Sequence, residues 1–315
     1  MRVLVADALD PDAVGQLEAA GHSCEVAPGL SADDLPDHIA GYDVLVVRST
    51  KVTAKTIESG DALSLVVRAG SGLNTIDRDA ATAHGVAVAN VPGANALAVA
   101  ELTFGLLLAL DRRIVDNADA SRAGHWDKKG LSKGARGLAG STIGVIGLGA
   151  IGRAVAERAV AFGMQVRTVG RPDASERTRA AIDRLGIAED ADLLTLAGQV
   201  DVLSVHVPAG AATTGMVSRD VIAALRPGAV VLNTSRADVV DSAALLEALD
   251  SDAVRAGLDV FPDEPTATTD DWQSALAAHR NVVATQHIGA STAQAQRAVA
   301  QGVVDLVVAH AAARG

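Results

Sequence analysis

Four polar residues stand directly after short apolar runs in the second half of the chain. His206 ends "DVLSVH", Arg236 follows "AVVLNTS", Glu264 follows "AGLDVFPD" and His287 follows "NVVATQ". In an open parallel sheet, ligands bind beyond the carboxyl ends of the strands, so residues in such positions are the ones to inspect for chemistry. A guanidinium fixes a carboxylate through charge-assisted hydrogen bonds. An imidazole titrating near neutrality exchanges a hydroxyl proton, and a carboxylate orients that imidazole. Arg236, His287 and Glu264 supply those roles in turn. The chemistry they fit is proton exchange at a hydroxyl or oxo carbon beside a carboxylate. It requires no metal, and no His or Cys spacing in the chain predicts one. His206 is read as lining the cleft rather than as the acid/base.

A second constellation precedes these. The run "TIGVI" leads into "GLGAIG", with Gly147, Gly149 and Gly152, and then into "RAVAERAVAFG". Strand, glycine turn and helix in that order form a dinucleotide site. The first glycine allows the tight turn, the second lets backbone approach a pyrophosphate, and the third lets helix and sheet pack closely. The phosphates then lie at the helix N-terminus. Ala150 and Ile151 sit inside the turn, and Pro208 and Thr234 follow later strands. With His206 they complete the cofactor-binding candidates. An enzyme preferring NAD places an acid about 20 residues further on, at the end of the next strand. After "MQVRTV" this chain has Gly170 and Arg171, which favours the 2'-phosphate of NADP. NAD stays open, with Asp173 or the backbone serving the ribose.

A third group lies near the start. Arg48 and Lys51, with Ser49 between them, follow "YDVLVV", so the same crevice rule turns them toward a substrate. A second anionic group on that substrate, such as a phosphate, would give the two cations something to bind.

These groups need elements to hold them. Short Val-rich runs alternate with helical stretches throughout, the rhythm of parallel sheets covered on both faces. Strands are predicted near 2–6, 23–27, 43–47, 64–69 and 86–89, and again near 142–146, 165–169, 201–205, 229–233, 255–259 and 282–285. A long helix begins near Asn95 and a closing helix runs from about Ser291 to Ala313. The fold class is α/β, with two doubly wound domains. The net charge of -11 provides no basic face for nucleic acid or anionic lipid. The single Cys24 and the absence of a leading apolar segment predict a cytoplasmic protein. The apolar runs at 97–110 and 298–313 are too short to span a bilayer and are read as core helices.

The runs "RAGSGLNTID", "NVPGANALAVAEL", "GLGAIG", "LNTSRADVVD", "GLDVFPDEP" and "HIGAST" occur in an order that resembles the D-isomer-specific 2-hydroxyacid dehydrogenase family over essentially the whole length. Within that family, "VVRSTKVT" and "AGHWDKKG" are similar to substrate-loop segments of D-3-phosphoglycerate dehydrogenases, in a short form without serine feedback. The resemblance implies a flavodoxin-like substrate domain of residues 1–96 and 286–315, with a Rossmann domain of residues 97–285 inserted. It implies that Arg236 binds the substrate carboxylate and polarises the oxo group, with His287 as acid/base and Glu264 as its partner. Backbone at Gly70, Ser71 and Gly72 would hold the other carboxylate oxygen, and Asp259 the nicotinamide amide. Lys128 would reach the substrate from a neighbouring subunit. A homodimer through helices of the 97–125 region is expected. The implied reaction interconverts 3-phosphoglycerate and 3-phosphohydroxypyruvate. Glyoxylate or hydroxypyruvate reduction is the alternative, and a dinucleotide-sensing corepressor-like role a more distant one. The chain departs from the family pattern at Ala237 and Asp238, where glycines are usual, and at Gln286, where proline is usual.

Overall fold

The structure is a computed structural model and describes residues 1–265 and 271–314. The chain divides into two compact units, Met1–Ala96 with Ala290–Gly315, and Leu97–Gly289.

The first unit holds β1 (Arg2–Val5), β2 (Ser23–Val26), β3 (Val44–Val47), β4 (Leu65–Arg68) and β5 (Ala87–Asn90). They pair in parallel in the order β2-β1-β3-β4-β5, a flavodoxin-like winding. All four residues of β3, "VLVV", are buried, because helices cover both faces. One covering helix is the closing one, Ala293–Ala312, which starts at Thr292, whose hydroxyl accepts from the Ala295 N–H at 3.1 Å. Its Val303 and Val307 are fully buried against Val3, Val46 and Val67. Each such side chain contributes about 1.5–3 kcal/mol of burial.

The second unit holds β6 (Thr142–Ile146), β7 (Gln165–Val169), β8 (Ala188–Asp190), β9 (Val202–Val205), β10 (Ala229–Asn233), β11 (Val254–Leu258) and β12 (Val282–Ala284). Their order is β12-β11-β10-β9-β6-β7-β8, again all parallel. Counted from β6, this is the 3-2-1-4-5-6 winding of dinucleotide folds with one strand added, and the order reverses between β6 and β9. Helix Ala96–Arg112 lies close on β11. A Cβ at Gly257 would come within 2.8 Å of Leu232 and 2.9 Å of Leu106, so the glycine sets that approach.

Two features differ from expectation. β8 was not anticipated, since its "AED" is a three-residue strand at the sheet edge with no apolar run to reveal it. Residues 286–289 belong to the second unit, not the first. Backbone hydrogen bonds tie them to Asp259, just beyond β11. Among the described residues no helix is long and apolar enough to cross a membrane.

Candidate active site

The glycine turn leaves β6 at Gly147, whose φ of +90° is left-handed and favours glycine. A Cβ there would also come within 2.6 Å of the His206 carbonyl oxygen and of Val207 Cγ1. Gly152 packs its α-carbon onto the Gly147 carbonyl, leaving no space for a side chain. At Gly149 a Cβ would meet nothing within 4 Å, and no side chain caps the helix Ala150–Ala161 that starts there. Uncapped N–H groups beside open space at the switch point of a parallel sheet fit a pyrophosphate.

His206 is buried, and its Nε2 pairs with Ser204 Oγ at 2.7 Å. Burial pushes its pKa down to about 3, so it is a neutral wall of the turn and no proton donor at neutral pH. Thr234 is buried and shares a hydroxyl hydrogen bond of 3.0 Å with Thr103, whereas Pro208 is exposed. At the end of β7, the Gly170 N–H donates to the Asp190 carbonyl at 2.9 Å. Arg171 is exposed and held in a fork by Asp173, Nε to Oδ1 at 3.1 Å and Nη2 to Oδ2 at 2.6 Å.

Beyond β10, β11 and β12 the second unit assembles the polar set. Asn233, buried at the end of β10, accepts from the Ser235 N–H and hydroxyl at 3.0 and 2.8 Å and donates to the Arg236 carbonyl at 2.9 Å. That turn presents Arg236, which is half-buried and donates from Nη1 to the Ser235 carbonyl at 2.6 Å. Beyond β11, the Phe261 N–H donates to Glu264 Oε1 at 2.7 Å, and Glu264 Oε2 lies 2.7 Å from His287 Nδ1. His287 has a φ of +53°, a left-handed conformation that is uncommon for a side-chain-bearing residue and concentrates at functional sites. Asp259 holds it there. Its carbonyl accepts from the His287 N–H at 2.8 Å, Oδ1 accepts from the Thr285 hydroxyl at 2.6 Å and the Ile288 N–H at 2.9 Å, and Oδ2 accepts from the Gly289 N–H at 2.9 Å. Asp259 is 1% exposed, and both its oxygens serve residues 285–289.

The hydrogen bond that its Nδ1 donates to Glu264 holds the His287 imidazole above its ordinary pKa, against burial and the Arg236 charge. Burial pulls the Glu264 carboxyl upward, but hydrogen bonds from His287 and the Phe261 N–H outweigh it, and the group stays below the usual carboxylate range. An ionised carboxylate only accepts, so Nδ1 carries a proton toward Glu264 and Nε2 is left to exchange one.

The first unit contains the remaining candidates. The N–H groups of Arg48, Ser49 and Thr50 all donate to Asp7 Oδ2, at 2.7, 3.1 and 3.1 Å. Arg68, the last residue of β4, donates from Nε to the Arg48 carbonyl at 3.0 Å, and its guanidinium lies against Gly70. Ser71 donates to Asn95 Oδ1 at 2.9 Å, while Gly72 is partly exposed and Lys51 exposed. Lys128 is exposed at the start of a short helix capped by Asp127, in the second unit. Asp7 and Arg68 escaped the sequence reading, although both stand at the carboxyl ends of strands, where the crevice rule directs attention.

Residues 104–289 match the family model described as "D-isomer specific 2-hydroxyacid dehydrogenase, NAD binding domain". The chain belongs to this family. The dehydrogenase is 43% identical over 309 residues to the hydroxypyruvate reductase of Thermotoga maritima, covering 97% of each chain. It is 40% identical to the D-3-phosphoglycerate dehydrogenase of Methanocaldococcus jannaschii, covering 98% of this chain and 57% of that longer one. Among solved structures, Escherichia coli D-lactate dehydrogenase superposes with a TM-score of 0.80 at 26% identity, covering 97% of this chain and 95% of that one. The dehydrogenase is therefore an oxidoreductase acting on the CH–OH group of D-2-hydroxy acids with a nicotinamide cofactor.

Proposed function

We propose that Arg236, Glu264 and His287 carry the reaction, and that the substrate is a two- or three-carbon 2-hydroxy or 2-oxo acid. The observation that carries this reading is the 2.7 Å contact between Glu264 Oε2 and His287 Nδ1 on the unit that holds the glycine turn. Arg236 binds the carboxylate and draws electron density from the oxo group. His287 Nε2 donates a proton to the forming hydroxyl during reduction and takes it back during oxidation, while Glu264 stabilises the imidazolium. The nicotinamide, when bound, supplies or accepts the hydride. Asp259 keeps the His287 ring in place through the backbone on either side of it. His287→Ala should lower turnover by a factor of about 100 to 10,000. Near wild-type turnover would remove His287 from the mechanism.

For the substrate, Arg48 and Lys51 support a second anionic group, and 3-phosphohydroxypyruvate is the reading we put first. Arg68 adds a third cation beside Arg48. Hydroxypyruvate or glyoxylate is the second reading. It is favoured by the relative matched over 97% of each chain and by the Asp7 carboxylate, which already occupies the N–H groups of Ser49 and Thr50. A substrate panel with both reduced cofactors separates them. For the assembly we propose a homodimer, since Leu97, Ile114, Val115 and Trp126 expose 46%, 51%, 48% and 89% of their surface around the helices at 96–122. A monomeric mass by light scattering would overturn it.

A further inference from the structure

The cofactor turn lacks an acid at the end of β7, where Gly170 stands. Strand β8, the edge strand hidden from the sequence reading, brings one from the side. β7 and β8 run parallel with Thr168 opposite Glu189. Side chains alternate along a strand, so residue 170 shares its face with Thr168 and therefore with Glu189. The geometry agrees. A Cβ placed on Gly170 would be 3.4 Å from Glu189 Oε1 and 3.6 Å from Glu189 Cβ. An aspartate at position 170 would extend its own oxygens about 2.4 Å beyond that Cβ, from standard covalent dimensions. The Glu189 carboxylate thus lies beside the space such a side chain would fill.

The neighbouring groups leave Glu189 available. It is exposed and forms no hydrogen bond or ion pair among the described residues. Arg167, the nearest cation on β7, is committed to buried Asp190 at 2.5 and 2.9 Å. Arg171, the residue expected to greet a 2'-phosphate, is committed to Asp173. The Gly170 N–H is spent on the Asp190 carbonyl. A phosphate arriving here would meet one free carboxylate and guanidiniums already paired with carboxylates, whereas a ribose hydroxyl would meet an acceptor.

We propose that Glu189, delivered from β8, accepts from the adenosine ribose hydroxyls and tilts the enzyme toward the unphosphorylated dinucleotide. This reverses the expectation drawn from Gly170 and Arg171, and it rests on the dinucleotide being seated at the Gly147–Gly152 turn.

The test is equilibrium binding, read by nicotinamide fluorescence, of NADH and NADPH separately to the full chain and to Glu189→Gln, an exposed and isosteric change. The unmodified protein should bind NADH more tightly. Glu189→Gln should weaken NADH by about tenfold, the low end for a hydrogen bond to a charged group, and should tighten NADPH by removing a repulsive charge. Asp173→Asn should tighten NADPH as well, by releasing Arg171, while leaving NADH within about twofold. Tighter binding of NADPH by the unmodified protein overturns the proposal. So does a preference unmoved by Glu189→Gln, which would leave the glycine turn standing. Binding of neither dinucleotide overturns the turn and the assignment together.

Discussion

His287 is held in a left-handed backbone conformation, φ +53°, with its Nδ1 2.7 Å from Glu264 Oε2. One carboxylate, Glu264, is the main cause of the ring's raised pKa, and another, Asp259, sets its position through the backbone. The two jobs can be separated by mutation.

The pH dependence follows from the first. In the proposed mechanism reduction needs protonated His287 and oxidation needs it neutral, and the hydrogen bond to Glu264 raises the imidazole pKa. Reduction should therefore persist above the ordinary histidine range and fade as pH rises through the raised value, while oxidation grows over the same interval. Glu264→Gln removes the main cause of the shift, so both limbs should move to lower pH. Profiles of kcat/KM in each direction, with and without the substitution, check this. Unmoved limbs would show that the pair does not govern the proton.

Asp259→Ala should act chiefly by displacement and only secondarily on the titration. It strands the Ile288 and Gly289 N–H groups and the Thr285 hydroxyl, at a cost of at least about 2 kcal/mol. Urea unfolding should show that loss. In the surviving folded enzyme kcat should fall, and the pH midpoints should move down by less than in Glu264→Gln, because the Asp259 charge is only a minor cause of the raised imidazole pKa.

Gly147→Ala meets both a left-handed φ and two contacts at 2.6 Å. Dinucleotide affinity should fall by at least about tenfold, and stability should fall by more than the roughly 1 kcal/mol of a lone backbone misfit. Gly149→Ala has free space and should fold normally, with only binding impaired. Equal stability of the two variants would contradict the close packing of Gly147 on residues 206–207.

Arg48→Ala should lower kcat/KM for 3-phosphohydroxypyruvate more than for hydroxypyruvate or glyoxylate, because only the first loses an ionic contact in both ground and transition states. A loss of about tenfold or more, confined to the phosphorylated substrate, is the expected result. Equal losses across the three would transfer the assignment to the reductase reading.

Where side chains announce themselves by repetition, the sequence was enough. Buried parallel strands read as unbroken apolar runs, so β3 and β10 were located within a residue from "VLVV" and "AVVLN". Arg236, Glu264 and His287 could be singled out as candidates because each follows such a run. β8 was invisible for the converse reason. An edge strand needs little burial, and Glu189 and Asp190 read as solvated surface. The backbone state of His287 was equally hidden, since no residue type betrays a left-handed histidine. It depends on Asp259, 28 positions earlier, gathering the amides around it. The commitments of Arg171 to Asp173 and of Asp7 to the turn at residues 48–50 are pairings in space, and they alter what the sequence cations are free to bind.

Arg236, Glu264, His287, Asp259 and the glycine turn all lie within residues 97–289, whereas Arg48, Arg68 and Ser71 lie outside it. On the proposed assignment, proton donor, its tuner and the cradle for the reductant share one uninterrupted piece of chain. On that same assignment, changes in the flanking piece would redraw which acid is recognised without touching the machinery that reduces it.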